Sequence, residues 1–270
     1  MNDPFDNPVF SLDSRSRVRE KRLWILALFF LAVPLAISLL VLFQMVKPDA
    51  SPFPDAGDMF SFVAVFSHGA LLVLLSALGA AQRISQERER RTLPALVNSP
   101  MSAARIADGK LLGAWRFAAW LAVLTLPFLA VATLWGGLPA WKLLAAWALN
   151  LAAALATASL ALGFSGLLGR SLSAYLATGA VLFLWCFVLP VVGVIVAASS
   201  DVSTPAGEAA ILSAFVYHLP VVPQLALLSD GFDGDLPHAG LVYPVALSVW
   251  FLLGLLGRTL AVRGLRREVY

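Results

Sequence analysis

The sequence predicts an all-α integral membrane protein. It has six transmembrane helices, an N-terminal interfacial helix, re-entrant half-helices between spans five and six, and both termini cytoplasmic. Three observations carry this. First, 60% of the 270 residues are hydrophobic and 13% are charged, where a soluble domain runs nearer half and a quarter. Second, six apolar stretches are each long enough to cross a bilayer core of roughly 30 Å, at about 23–46, 59–81, 111–135, 142–168, 174–198 and 239–262. Third, the basic residues fall almost entirely on one side of those spans. The whole chain, 1–270, reads as a single transmembrane domain.

The elements follow in order. Residues 1–22 are polar and mix Val9, Phe10, Leu12 and Val18 with a basic run, which suits a helix lying on the membrane surface; a short basic arm is the alternative. The first span is longer than the apolar core of a signal peptide and no small-residue cleavage site follows it, so it is expected to stay as an anchor. The outer loop KPDASPFPDAGD holds three prolines and three aspartates and is expected to be irregular. The second span carries His68, the one ionisable group well inside a span. It is either a functional residue or a His bonded to a nearby hydroxyl or carbonyl. Residues 82–110 form an inner loop. Pro127 and Pro190 are expected kinks in spans three and five. A tight turn at GGLP makes spans three and four a helical hairpin, and the connection at Gly169, Arg170 and Ser171 is equally short. Cys186, the lone cysteine, is expected to pack as a small apolar residue. Residues 199–238 form an outer segment. Within it, 209–228 is apolar but broken by Pro220 and Pro223, so two half-helices that dip in and return are favoured over an interfacial segment or a seventh crossing.

Charge fixes the orientation. Seventeen of the nineteen Lys and Arg residues lie on the side of residues 1–22, 82–110, 169–173 and the C-terminal tail; only Lys47 and Lys142 lie on the other. An excess of Lys and Arg marks the cytoplasmic side.

The inner loop reads QRISQERERRTLPALVNSPMSAARIADGK. Five consecutive charges, Glu87 to Arg91, precede Thr92. Thr92 is expected to cap a short helix, Leu93–Val97, with Pro94 in its first turn and Asn98 and Ser99 at its end. Ser99 and Pro100 are expected to start the next helix, which runs into span three. A plain solvated loop needs the charge but not the ordered caps or the apolar TLPALV. A docking surface for a cytoplasmic partner accounts for both.

The order Glu87, Glu89, Thr92, Leu93, Leu96, Pro100, Ile106, Gly109, Lys110 resembles the segment after the second of six spans in permease subunits of type-2 ATP-binding-cassette exporters. The N-terminal Asn7-Pro8 with its basic run, the six spans and the broken segment before the last span are similar too. Arg91 departs from the Gly that the family often has before the Thr, and Pro94 is unusual in the short helix. The resemblance implies a coupling helix that seats in a groove of a separate ATP-hydrolysing subunit, with Glu87, Glu89, Arg90, Arg91, Thr92, Leu93 and Leu96 as the contact. It implies a bacterial plasma-membrane location and two copies of a cytoplasmic P-loop ATPase, which would bind ATP and Mg. It also implies a second permease copy, identical or related. Membrane lipids are the other expected partner; nucleic acid is not.

No cofactor or metal is expected in this chain. No G-x-x-x-x-G-K-[ST] loop occurs, so ATP hydrolysis is expected in the partner and the chain is not read as an enzyme. His68, His218, His238 and Cys186 are too scattered for a metal set. Gly163-Phe164-Ser165-Gly166 is similar to the nucleophile motif of rhomboid proteases. However, Ser165 and His68 differ in depth by about 15 Å at 1.5 Å per residue, far beyond the reach of a serine and its base. Close helix packing by Gly163, Gly166 and Gly169 explains the motif better. The spans hold no buried carboxylate, which argues against the rival reading, a stand-alone secondary transporter or channel. An amphipathic or lipid-like cargo suits such spans.

Overall fold

The computed structural model describes residues 8–9, 21–45, 56–134, 138–199, 219, 223 and 242–268. Among them there is no strand. The helices are α1 (Lys21–Met45), α2 (Ala56–Ala81), α3 (Ser85–Glu89), α4 (Leu93–Val97), α5 (Ala103–Leu124), α6 (Leu126–Leu134), α7 (Ala140–Leu167), α8 (Ser171–Phe183), a π-helical turn (Leu184–Val188), α9 (Leu189–Ser199) and α10 (Val242–Arg266).

Five helical stretches are long and apolar enough to cross a membrane. They begin at Phe60, Ala103, Ala140, Ser171 and Tyr243. They correspond to predicted spans two to six, which makes the chain a multi-pass membrane protein. The first predicted span coincides with α1, whose described apolar part, Ile25–Leu40, is shorter. Apart from Pro8 and Val9, which are helical, and the first residues of α1, the predicted interfacial segment 1–22 lies outside the described residues. The same holds for residues 46–55 and for 200–238, which hold the expected half-helices, save Leu219 and Pro223.

Near both predicted kinks the helix departs from regular α geometry, each with a local cause. Proline at 127 lacks the N–H that would continue α5, and the helix breaks at Thr125. The Thr125 hydroxyl then donates to the Ala122 carbonyl at 2.7 Å, and the Trp147 indole N–H donates to the same carbonyl at 2.8 Å. Before Pro190 the helix widens instead. The Leu189 amide reaches back to Leu184, one residue further than an α-helix allows.

α7 is the central helix, packed chiefly along α10 and α2. Its seam with α10 is lined by small residues, as the sequence predicts for Gly163 and Gly166; Gly169, expected to pack with them, lies beyond the end of α7 with nothing within 4 Å of a Cβ there. A methyl group on Gly163 would lie 2.7 Å from the Gly257 carbonyl oxygen, and one on Gly166 would lie 2.9 Å from the Ala261 Cα. Gly257 in turn abuts the Ser159 backbone, and Gly264 abuts that of Gly166. Lipid supplies no hydrophobic drive between helices, so close backbone approach is what holds this pair.

Buried side chains form three layers along the bundle. Phe60, Leu129 and Leu143 lie at one end. Phe30, Leu72, Leu121, Trp185, Leu219 and Trp250 form the middle. Ile84, Leu93, Ile106, Leu162 and Leu265 lie at the basic end. Large apolar residues such as Phe43, Leu134, Leu172 and Phe251 point outward, as a lipid surround requires.

Candidate functional site

At the basic end the chain turns sharply after Ala81. Arg83, only 3% exposed, donates through its guanidinium to the Gly113 carbonyl at 2.8 Å. The first amides of α3 have no intrahelical partner and need an acceptor from elsewhere. Ser165 of α7 supplies it. Its hydroxyl oxygen accepts from the Ile84 and Ser85 amides, both at 3.0 Å, and lies 3.1 Å from the Ser85 hydroxyl. Ser165 is therefore an anchoring cap for the loop, which accounts for its place in the glycine-rich motif.

The charged run is then distributed residue by residue. Glu87 forms an ion pair with the buried Lys110 of α5. Arg88 donates to the Gly166 carbonyl at 3.1 Å, to the Leu168 carbonyl, and to the Glu268 carboxylate at 2.9 Å. It thereby satisfies orphan carbonyls at the C-terminus of α7 and pairs with the C-terminal tail. Glu89 accepts from the Ser171 amide at 2.7 Å and from its hydroxyl at 2.9 Å. Arg170, at the start of α8, offers no side-chain cap of its own, so Glu89 caps α8 from a different helix. The Ser171 amide, and then its hydroxyl, hold the Glu89 carboxyl below its ordinary value of 4.5. A lowered carboxylate pKa means this tie is fully present above 4.5 and is lost as pH falls through the lowered value.

Arg90 and Arg91 complete the run. Arg91 has φ of 58°. The Thr92 amide donates to the Glu87 carbonyl at 2.9 Å and the Arg91 amide to that of Arg88 at 3.1 Å. This is the double bond pattern of a helix end closed by one left-handed residue, usually glycine. Glycine adopts this conformation freely, whereas Arg91 adopts it against its own side chain.

Thr92 precedes α4 as predicted, but it does not cap with its side chain. Its backbone is already helical at φ −92°, ψ −17°, and its hydroxyl donates backward to the Glu87 carbonyl at 3.2 Å. Pro94 sits in the first turn of α4, and Asn98 ends it. The next helix starts later than Ser99-Pro100. Ser102 is its cap, accepting from the Arg105 amide at 3.3 Å. Ser99 instead donates to the Leu96 carbonyl at 2.6 Å.

The seven candidate contact residues thus divide. Arg90, Arg91 and Thr92 are exposed, and Glu89 is exposed while tied to Ser171. Leu93 is 2% exposed and packs in the layer of Ile84, Ile106, Leu162 and Leu265, with Leu96 partly buried beside it. Glu87 turns toward Lys110. The roles of Arg88, Ser165, Ser171 and Glu268 go unmarked by sequence pattern. The uncapped helix ends at Ile84 and Ser171 are the signal that could have raised two of them. A further clamp, Arg258 to Asp108 through two bonds of 2.6 and 2.8 Å, joins α10 to α5 at the same end.

His68 lies away from this site. It is buried between Phe30 and Phe128, with ring centroids 5.7 and 4.5 Å away. Its Nδ1 donates to the Ala64 carbonyl at 2.8 Å, the carbonyl-bonded arrangement anticipated as its structural alternative. Among the described residues no group of His, Cys, Asp and Glu is placed to hold a metal ion.

No curated protein matches the chain. A family model described as ABC-2 family transporter protein matches residues 8–262, nearly the whole length. With its apolar helices and the loop held at their basic end, the chain belongs to the ABC-2 family of transporter proteins, as a membrane transporter subunit.

Proposed function

We propose that this chain is the membrane-spanning permease of an ATP-driven exporter in the bacterial plasma membrane. It has six spans, with α1 as the first, and both termini lie in the cytoplasm, as the seventeen-to-two division of basic residues supports. A separate P-loop ATPase, in two copies, binds ATP and Mg and docks on α4. A second permease copy completes the pathway, and cargo crosses where the two permeases meet. ATP-driven closure of the ATPases moves α4 and re-packs the spans.

The observation that carries this reading is the division of labour in the loop. Arg90, Arg91 and Thr92 face outward beside the exposed face of α4, while Arg88 and Glu89 reach into α7 and α8. A topology-only loop would need no such links to two spans. Outward cations steer and register a partner; inward contacts pass on its movement.

The test is co-purification of the tagged chain in mild detergent, with mass spectrometry and an ATP-hydrolysis assay. Wild type is expected to bring down a P-loop ATPase, and an Arg90→Glu/Arg91→Glu variant to lose most of it. A folded, transport-active chain that never carries an ATPase would move the stand-alone carrier to first place.

A further inference from the structure

A groove of 490 Å³ runs along the bundle between α5, α7 and α10. We propose that it binds one phospholipid, with an acyl chain along the groove, the headgroup phosphate on Arg258 and a headgroup ammonium on Asp108.

The groove exists because its floor is made of small residues. Ala152 and Ala156 of α7 and Gly254 of α10 line it, between walls of Trp115 and Phe251. A methyl group on Gly254 would meet nothing within 4 Å. The polar atoms inside are already used. The Trp115 indole N–H donates to the Ser159 hydroxyl at 3.0 Å and to the Leu155 carbonyl at 3.2 Å. The interior therefore asks for an apolar occupant.

Its length selects the occupant. From Leu247 to Arg258 the lining covers about 16 Å of α10 at 1.5 Å per residue. That is about half of a bilayer core of roughly 30 Å, the depth of one leaflet. Arg258 stands at the basic end, where headgroups lie.

The charges select the headgroup. Arg258 spends Nε and Nη2 on Asp108. Its Nη1 donors have no partner among the described residues, and its side chain is 41% exposed. These donors suit a phosphate. Asp108 beside it, 39% exposed, repels a purely anionic headgroup but accepts from an ammonium. Phosphatidylethanolamine satisfies both groups. Phosphatidylcholine has no N–H to give, and phosphatidylglycerol has no cation. The inference rests on the membrane reading of the spans and is independent of coupling to an ATPase.

The experiment is native mass spectrometry of the full chain in mild detergent, after incubation with equal amounts of the three lipids. One phosphatidylethanolamine is expected to be retained over either competitor by about tenfold. Gly254→Leu places a side chain in the groove, its Cβ with nothing within 4 Å, and is expected to cut retention about tenfold with helix content unchanged. Asp108→Asn is expected to keep a lipid but lose the preference over phosphatidylcholine. Three lipids retained in proportion to supply would overturn the proposal. So would a Gly254→Leu variant that holds lipid as wild type does, or an Asp108→Asn variant that keeps the preference. The wild-type competition and the Asp108→Asn comparison decide the matter even where Gly254→Leu does not fold.

Discussion

Arg91 holds a left-handed backbone, φ 58°, that an L side chain adopts at a cost of roughly 1–2 kcal/mol and glycine adopts freely. Arg91→Gly is therefore expected to tighten the turn between α3 and α4 by about 1 kcal/mol. Hydrogen exchange at the Thr92 amide, which bonds to the Glu87 carbonyl, would slow by about fivefold. Arg91→Val should speed it, since a β-branched side chain is a genuine outlier in this region. Equal exchange in all three forms would mean that the turn carries no strain. The same residue marks how far sequence reading reached. The departure from glycine is visible in the sequence, but its meaning depends on a φ that only the fold gives. Glu87 and Glu89 are similar. Their presence was legible from the charge run, but their partners Lys110 and Ser171 stand 23 and 82 residues away. No periodicity joins them.

Elements were more legible than contacts, because hydropathy reports what a span needs from its surroundings and proline reports where a helix breaks. Spans two to six fall where the apolar stretches lie, and the breaks at Thr125 and Leu184 precede Pro127 and Pro190. Helix starts were harder to read. The sequence points to Ser99-Pro100 as the start of the helix into span three, whereas Ser102 caps it by accepting from the Arg105 amide. The α7–α10 seam gives the element-scale prediction. Gly264 abuts the Gly166 backbone, with no flexible side chain to give way. Gly264→Leu is expected to push the helices apart and cost about 1–3 kcal/mol, the range for overpacking. Gly179→Leu, on α8 with nothing within 4 Å, is the matched control and should gain from better helix propensity. Thermal unfolding in detergent compares the two. Equal midpoints would show that the small-residue seam does not hold the bundle.

At the scale of the molecule, one loop is tied to most of the bundle. Lys110 links α3 to α5, Arg88 links it to the end of α7 and the C-terminal tail, and Glu89 links it to the start of α8. In the proposed function a push on α4 would reach the spans through these ties, while Arg90 and Arg91 stay on the outer side. Docking and transmission therefore separate in mutants. Glu89→Ala removes the cap on α8 but leaves the outward cations untouched, so an ATPase should still co-purify. What should fall is the ATP-dependent movement of α8, read as a change in distance between spin labels on α8 and α2. Coupling between sites is typically about 1–3 kcal/mol, so loss of one tie is expected to shift the equilibrium toward the moved position of α8 about fivefold less. Glu89→Asp, which keeps the acceptor, should restore part of it. The pH dependence provides a second readout: because the Ser171 bonds hold the Glu89 carboxyl below 4.5, wild type should approach the Glu89→Ala behaviour as pH falls through that lowered value and differ from it fully above 4.5. Full movement in Glu89→Ala with the ATPase still bound would assign transmission to Arg88 and Lys110, whose ties to α7 and α5 that variant leaves intact.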